Sequence, residues 1–314
     1  MEEGVEAAYT AAEVDSLEFC KKCKAELTVG KFHTRKEKLA FTSALVLSAG
    51  SLLIHGNSVS VTFQTQNSAL VKTVNALSTE LTGRECEAEK RGSKTSEITL
   101  MNAFSLLIEC GILSISDGSV TISEHVHREY FGDRTAAAFV RGAFLGSGSI
   151  SLGKKYHLEF SFGRRSIAED FCEMLQSRGI TARIAERKDR WVVYVKDSVA
   201  ISDVLAFMGA GKAVLSFNSV AAARQMTEHI NRQKNCDMHN IDKQVEASVR
   251  LRSLLMERDL SELSGPLYET ARARLEHPDY SYAQLSELLG VSKSGLKNRL
   301  KKLERISAES DEEE

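Results

Sequence analysis

The sequence lacks any long apolar run, and no stretch approaches the roughly 20 apolar residues needed to cross a bilayer. Residues 1–6, Met-Glu-Glu-Gly-Val-Glu, also lack the basic-then-apolar pattern of a secretory signal. These absences disfavour a membrane protein and predict a cytoplasmic one. Hydrophobic residues make up 42% and charged residues 27% of the 314 residues, and that length allows two or three compact units.

Proline is scarce, with Pro266 and Pro278 alone, and the six cysteines form no closed metal-binding pattern. Cys20 and Cys23 make the one CxxC pair, and only His33 lies near it in sequence. A closed zinc site usually needs a second pair of ligands at short spacing. We therefore expect reduced thiols, no metal and no cofactor.

An excess of positive charge is also missing, because the formal net charge is −2. The last six residues, 309–314, carry five acidic groups, and without them 38 acidic residues face 41 basic residues, a balance of +3. Such a block of like charge is typical of a disordered tail. The overall charge is therefore compatible with DNA binding by a locally basic surface.

Two segments, residues 39–52 and 137–150, resemble each other at a spacing of 98 residues. Each predicts a helix that ends at a glycine, Gly50 or Gly148, in the left-handed conformation that helix ends often adopt. Small residues recur at i, i+4 and i+8 in both copies: Ala40, Ala44 and Ser48, and Ala138, Gly142 and Gly146. Small side chains let helix backbones approach closely, so we expect the two helices to pack along these stripes.

The segments that follow each helix repeat as well, in the order strand, strand, helix, strand, strand. In the first copy they are residues 51–55, 58–63, 68–81, about 85–89 and about 97–100. In the second copy they are residues 149–152, 156–162, 166–178, 181–185 and 191–195. Each copy is therefore predicted to form an α+β unit.

The helix with its Gly-Ser-Ile ending resembles the LAGLIDADG motif of homing endonucleases. In that family two such helices pack at a pseudo-twofold axis, two sheets form a saddle over DNA, and an acidic metal ligand precedes each terminal glycine. Here those positions hold Ala49 and Ser147, which lack the carboxylate that Mg²⁺ favours. Two-metal cleavage loses its template without these ligands. We therefore expect no enzyme activity, which disfavours an active homing endonuclease or maturase.

A three-helix pattern near the C-terminus predicts an all-α helix-turn-helix domain. Pro266 suits the first turn of a helix whose apolar side is formed by Leu267, Ala271 and Leu275. Ser281 with Gln284 forms a capping-box pattern that opens the next helix. Gly290 closes that helix, and Ser292 is expected to cap the last one.

The last predicted helix, from Lys293 to about Arg305, has an apolar face and a basic face. Leu296, Leu300 and Leu303 are spaced to pack on the preceding helices. Residues 291–303 include five basic and no acidic residues, and they resemble the second helix of a bacterial helix-turn-helix, which enters the major groove. We expect base contacts from Lys293, Ser294 and Asn298, and phosphate contacts from Lys297, Arg299, Lys301 and Lys302, with Ser292 at the helix start.

The double repeat followed by this helix-turn-helix is similar to the WhiA family of Gram-positive bacteria. The similarity is strongest in residues 139–150, 231–237 and 292–303. It implies a sequence-specific, nucleoid-associated transcription regulator linked to sporulation, cell division or chromosome segregation. Its implied partners are double-stranded DNA and either a WhiB-type iron–sulfur protein or an RNA polymerase sigma factor. A protein-interaction scaffold that uses the saddle surface remains an alternative.

The sequence predicts six consecutive regions. They are an N-terminal segment (1–30), a first LAGLIDADG-like repeat (31–130), a second repeat (131–225), a helical linker (226–260), the helix-turn-helix domain (261–308) and the acidic tail (309–314).

Overall fold

The structure, a computed structural model, describes residues 16–55, 58–153, 155–257 and 259–309. Internal contacts divide the chain into two compact units, and the boundary in the sequence lies between Ala223 and Arg224. Most of the predicted acidic tail and the first half of the predicted N-terminal segment lie outside the described residues. Within the described ranges, no helix is long and apolar enough to cross a membrane.

The first unit contains the predicted repeats, each in the order helix, strand, strand, helix, strand, strand. Helix α1 (Ser16–Thr28) comes first and carries the CxxC pair. The first repeat comprises α2 (Arg35–Ala49), β1 (Ser51–His55), β2 (Ser58–Thr65), α3 (Ser68–Thr82), β3 (Glu87–Arg91) and β4 (Thr95–Leu100). A short helix α4 (Phe104–Glu109), a hairpin of β5 (Leu113–Ser116) and β6 (Ser119–Ile122), and a 3-10 turn (Arg128–Phe131) follow, and sequence analysis missed these elements.

The second repeat matches the first in element order. It comprises α5 (Asp133–Ser147), β7 (Ser149–Ser151), β8 (His157–Phe162), α6 (Arg165–Gln176), β9 (Arg183–Arg187) and β10 (Arg190–Val195). Helix α7 (Ser198–Met208) and the 46-residue helix α8 (Gly211–Met256) follow. The segment expected as a linker from residue 226 is thus part of a helix that already begins at Gly211.

Each repeat contributes one four-stranded antiparallel sheet, and the two sheets share the same strand order. The first sheet has the order β1-β2-β4-β3 and the second β7-β8-β10-β9. The first residue of each sheet pairs in a similar place, Ser51 with Thr62 on β2 and Ser149 with Glu159 on β8, with one residue fewer between the partners in the second copy. The α+β prediction is therefore confirmed for both copies.

Helices α2 and α5 pack directly against each other along the predicted stripes. A Cβ added at Gly142 would lie 2.3 Å from the carbonyl oxygen of Phe41, and one added at Gly146 would lie 2.2 Å from Ser48 Oγ. Both distances are far below van der Waals contact, so the α5 backbone lies directly against α2 at these two glycines. The prediction that the repeated helices form a pair is confirmed.

The expectation of left-handed glycines at the ends of these helices is wrong. Gly50 has φ −79° and Gly148 has φ −67°, which is extended backbone in both cases. Crowding explains the glycines instead: an added Cβ would lie 2.7 Å from the Val46 oxygen in one copy and 2.6 Å from Phe144 Cα in the other. The chain turns sharply from helix into strand, and only glycine fits against the last helical turn.

The core of the second repeat is aromatic and holds its helix on its sheet. The ring of Phe171, on α6, lies 4.7 Å from Phe160 and 5.0 Å from Phe162, both on β8. All three side chains are fully buried. Burying one such side chain contributes about 1.5–3 kcal/mol. These ring contacts hold α6 against β8 of the second sheet.

The second unit holds the predicted three helices around a leucine core. They are α9 (Gly265–Glu276), α10 (Tyr282–Leu288) and α11 (Lys293–Glu309), preceded by a 3-10 turn (Leu260–Glu262). Pro266 lies in the first turn of α9, and Ser281 and Gln284 form the full capping box at the start of α10. Leu251 and Leu255 at the end of α8 join the same core.

Candidate nucleic-acid interface

The turn between α10 and α11 has the geometry that the sequence predicts. Gly290 adopts φ +61°, a left-handed conformation that favours glycine. The N–H of Val291 donates to the Ser286 carbonyl at 2.9 Å, which folds the turn back on α10. Ser292 Oγ accepts a hydrogen bond from the N–H of Gly295 at 3.1 Å, so Ser292 caps α11 as expected.

The apolar and basic faces of α11 separate as predicted. Leu296 and Leu303 are fully buried, and Leu300 is nearly so. Most of the predicted DNA contacts are exposed on the other side of the helix, namely Ser292, Lys293, Ser294, Lys297, Asn298, Lys301 and Lys302. The buried leucines therefore hold a rigid helix whose free surface carries positive charge and short polar side chains.

Arg299 differs from the other predicted contacts. It is half-buried, and its Nη1 lies 3.5 Å from the carbonyl oxygen of Pro266 at the start of α9. Its guanidinium thus faces the α9 side of the helix. A phosphate that Arg299 contacts would have to approach beside α9.

Sequence analysis missed a buried arginine that holds this domain together. Arg274 is 2% exposed, and its Nη1 donates to the carbonyls of Tyr280 at 2.8 Å and Pro278 at 3.3 Å. Burial lowers the pKa of this guanidinium, and Tyr282 partly offsets that shift. The bonds tie α9 to the segment that leads into α10. Arg274 follows Thr270 at i+4 on the buried side, and that spacing was the available signal.

The second candidate site lies at the C-terminal ends of α2 and α5, where the LAGLIDADG resemblance places the metal ligands. Ala49 and Gly146 meet there: a Cβ added at Gly146 would lie 3.3 Å from Ala49 Cβ. Ser147 Oγ donates to the Ser161 carbonyl at 2.7 Å and accepts from the Ser161 N–H at 2.9 Å. Both hydrogen bonds of the Ser147 hydroxyl are therefore made with the backbone of β8.

An arginine occupies the same region and joins the two repeats. Arg190 Nη2 donates to the carbonyl of Ser48, at the end of α2, at 2.7 Å. Its Nε donates to Ser161 Oγ at 2.7 Å. A fixed positive charge therefore lies where a cation would have to bind.

These residues do not fit a divalent metal ion. Ala49 offers no side-chain ligand, the Ser147 hydroxyl is occupied, and the Arg190 guanidinium repels cations. Across the described ranges, no group of three or more His, Cys, Asp or Glu side chains could hold a metal. At the CxxC pair, burial raises the pKa of Cys23 to about 12, so this thiol is a poor metal ligand.

The outer face of the second sheet is basic. Strand alternation places Arg183 and Arg187 of β9 and Arg190 of β10 on the face opposite the buried Val193. The facing acidic residue is Glu159, which pairs with Arg187 at 2.6 Å. The surplus of arginine makes this half of the double repeat attractive to phosphate.

The outer face of the first sheet carries the opposite charge. Glu87 and Glu89 of β3 lie beside Glu97 of β4, and Arg91 is the basic residue among them. Arg91 donates to Glu97 at 2.7 Å, and that bond is the main cause of the lowered pKa of the Glu97 carboxyl. This sheet face thus keeps a surplus of negative charge.

Comparison with known families assigns both regions. Residues 136–227 match the family described as the WhiA LAGLIDADG-like domain, and residues 230–307 match the WhiA C-terminal HTH domain. The probable cell division protein WhiA of Clostridium acetobutylicum is 32% identical, and the match covers 93% of this chain and 98% of that protein. The protein of the same name from Thermoanaerobacter pseudethanolicus is also 32% identical, over 87% of this chain and 91% of its own.

The fold agrees with these matches. The crystal structure of full-length DUF199/WhiA from Thermatoga maritima superposes with a TM-score of 0.55 at 20% identity. The superposition covers 92% of this chain and 97% of that one. The fold is therefore a LAGLIDADG-like N-terminal domain followed by a helical helix-turn-helix domain.

Proposed function

The chain belongs to the WhiA family, and we propose that it is a sequence-specific DNA-binding transcription regulator without nuclease activity. The observation that carries this proposal is the exposed basic face of α11, which lies on a capped, leucine-anchored helix after a glycine turn. Lys293, Ser294 and Asn298 would meet base edges. Lys297, Arg299, Lys301 and Lys302 would position the helix on phosphates.

The cellular role that we propose follows the names of the relatives, which are called probable cell division proteins. A regulator of cell division, chromosome segregation or sporulation genes that associates with the nucleoid would combine such a role with a DNA-binding domain. A WhiB-type iron–sulfur protein or a sigma factor as partner stays a prediction.

We further propose that the double repeat contributes unequally to DNA binding. The second sheet, with Arg183, Arg187 and Arg190, would contact phosphates and strengthen binding on any sequence. The first sheet, with Glu87, Glu89 and Glu97, would repel them. The second repeat would then be the auxiliary DNA surface, and the first repeat would serve mainly as packing partner.

A protein-interaction scaffold is the second candidate, and the acidic first sheet is the observation that favours it. A basic partner surface would complement this face. The scaffold reading predicts that DNA binding is weak and insensitive to changes in α11.

The test measures binding of the full chain to DNA. Genome-wide mapping of bound DNA would supply the preferred site, and fluorescence anisotropy would then compare that duplex with a random one. We expect a variant with Lys293, Lys297 and Lys301 replaced by Gln to lose most binding. Arg183→Gln with Arg187→Gln should weaken binding to both duplexes moderately, whereas Glu87→Gln with Glu89→Gln should not. Full binding by the α11 variant would overturn the proposal.

A further inference from the structure

The first unit contains a pocket that is lined by several basic side chains. Neither Ala49 nor Ser147 lines it. It is open to solvent and has a volume of about 410 Å³, within the range of small-molecule sites. Three basic side chains line it, Lys31, Arg134 and Arg141, together with His33 and a single acidic residue, Glu37. Lys31 and Arg134 are exposed at its rim.

Arg141 is the central feature of this pocket. It is only 8% exposed, and among the described residues its Nε has no hydrogen-bond partner. No ion pair within 4.0 Å joins it to a described carboxylate, although Glu37 lines the same pocket. The buried Oε1 of Glu37, in the same pocket, also has no hydrogen-bond partner among the described residues. A buried guanidinium N–H without an acceptor is costly, and an oxyanion is its strongest natural acceptor.

The fold holds this guanidinium in a defined orientation. Its central carbon lies 4.2 Å from the centre of the Phe32 ring, and Phe32 packs edge-on against Phe41 at 5.1 Å. Gly30 makes room for it, because a Cβ there would lie 2.3 Å from Arg141 Nη1. A positioned guanidinium loses little conformational entropy when it binds an anion.

Packing of the repeated helices does not require an arginine here. The equivalent position in the first copy, 98 residues earlier, is Ser43, which is buried. Burial lowers the pKa of the Arg141 guanidinium, and Glu37 partly offsets that shift. Burial thus disfavours the charged form of Arg141.

We propose that this pocket binds a small phosphate ester. The phosphate would lie between Arg141, Lys31 and Arg134, whose three positive charges, less the negative charge of Glu37, balance a phosphate dianion. The organic part would lie against the apolar wall formed by Ala137, Phe207 and Met208. The site is in the first unit and is independent of the proposed DNA contacts of α11.

Isothermal titration calorimetry of the full chain tests the proposal with phenyl phosphate, inorganic phosphate and phenol. Phenyl phosphate should bind with a stoichiometry of one, about tenfold more tightly than inorganic phosphate because its ring leaves water. Phenol should not bind. Absence of saturable binding by both phosphates at millimolar concentration would overturn the proposal.

Variants locate the binding. Lys31→Gln and Arg134→Gln should each weaken phenyl phosphate binding about tenfold, as expected for loss of one charge-assisted contact. Lys72→Gln removes an exposed lysine of α3 and serves as the matched control that leaves binding unchanged. Arg141→Gln should abolish binding, with the circular dichroism spectrum checking that it folds. Equal effects of all surface variants would show adventitious attraction and reject the site.

DNA is the competing occupant that the experiment separates. If a duplex displaces phenyl phosphate, and Lys31→Gln and Arg134→Gln weaken duplex binding, the pocket belongs to a DNA surface and the proposal fails. We expect both variants to bind duplex DNA like the unmodified protein.

Discussion

Ser147 Oγ and the backbone of Ser161 form a reciprocal pair: the hydroxyl donates to the carbonyl at 2.7 Å and accepts from the N–H at 2.9 Å. In this way the end of α5 is fastened to β8 at the position where the resemblance to homing endonucleases places a metal ligand. The side chain at this position therefore makes structural hydrogen bonds.

Purified protein should leave plasmid and linear DNA intact with Mg²⁺ or Mn²⁺, because neither Ala49 nor Ser147 supplies a carboxylate. Ser147→Ala should instead lower stability by about 1–3 kcal/mol, since the Ser161 N–H loses its acceptor. Gel analysis after incubation with each metal and urea unfolding followed by the fluorescence of Trp191 measure the two effects. Specific, metal-dependent cleavage that disappears with changes around Ser147 would contradict the first statement.

Gly142→Ala should destabilise the first unit by about 1–3 kcal/mol or more, because the new Cβ would overlap the Phe41 oxygen at 2.3 Å. Gly142→Leu should be worse. Trp191 is the one tryptophan of the chain and lies on β10, so its fluorescence reports this unit in urea. Gly163→Ala is the control, since an added Cβ there meets nothing within 4 Å. Equal urea midpoints of unfolding for Gly142→Ala and Gly163→Ala would refute close packing of α2 on α5.

Lys301→Ala and Asn298→Ala should affect DNA binding in different ways. Lys301→Ala should weaken binding on all DNA sequences. It should also reduce, by about one unit, the slope of the logarithm of the binding constant against the logarithm of the salt concentration, as expected for one lost phosphate contact. Asn298→Ala should cost about 1–3 kcal/mol on the preferred site and little on random DNA. Salt titrations of both variants on both duplexes make the comparison. Unchanged affinity in both would transfer the main DNA site to the double repeat.

Arg274→Met should destabilise the helix-turn-helix domain by about 1–3 kcal/mol, the scale for leaving buried carbonyls without their charged donor. The carbonyls of Pro278 and Tyr280 would lose their donor. Binding to specific and random DNA should fall together as the folded fraction falls. Arg272→Met, two residues away, removes an exposed pair with Glu276 and should cost no more than about 0.5 kcal/mol. Thermal unfolding followed by circular dichroism compares them, and similar losses in both would argue against a structural role for Arg274.

The cysteines should differ in reactivity according to burial. Cys236 is exposed on α8, whereas Cys23 and Cys110 are buried, and burial raises the pKa of each of these two thiols to about 12. Iodoacetamide at neutral pH should therefore modify Cys236 in the native protein and Cys23 and Cys110 only in urea. Mass spectrometry of the peptides reads out the sites. Rapid native labelling of Cys23 would show that α1 opens.

Repeated patterns and local chemistry made parts of this fold predictable from the sequence. The 98-residue repeat predicted both α+β units and the α2–α5 pair, because small residues at one face have a simple packing consequence. The capping box at Ser281 and the turn at Gly290 are local, so they could be read from a few residues. The hairpin of β5 and β6 escaped because it occurs once, between the repeats.

The sequence by itself determined the repeated units, the helix pairing, the helix-turn-helix and the absence of carboxylates at positions 49 and 147. Only the tertiary structure decided that Gly50 and Gly148 are required by crowding, that Arg190 joins the two repeats through Ser48, and that the two sheet faces differ in charge. It also brought Lys31, Arg134 and Arg141 to one pocket. Periodicity and capping depend on neighbours within a few residues, whereas these contacts join side chains that are distant in the chain, and their spacing carries no local signal.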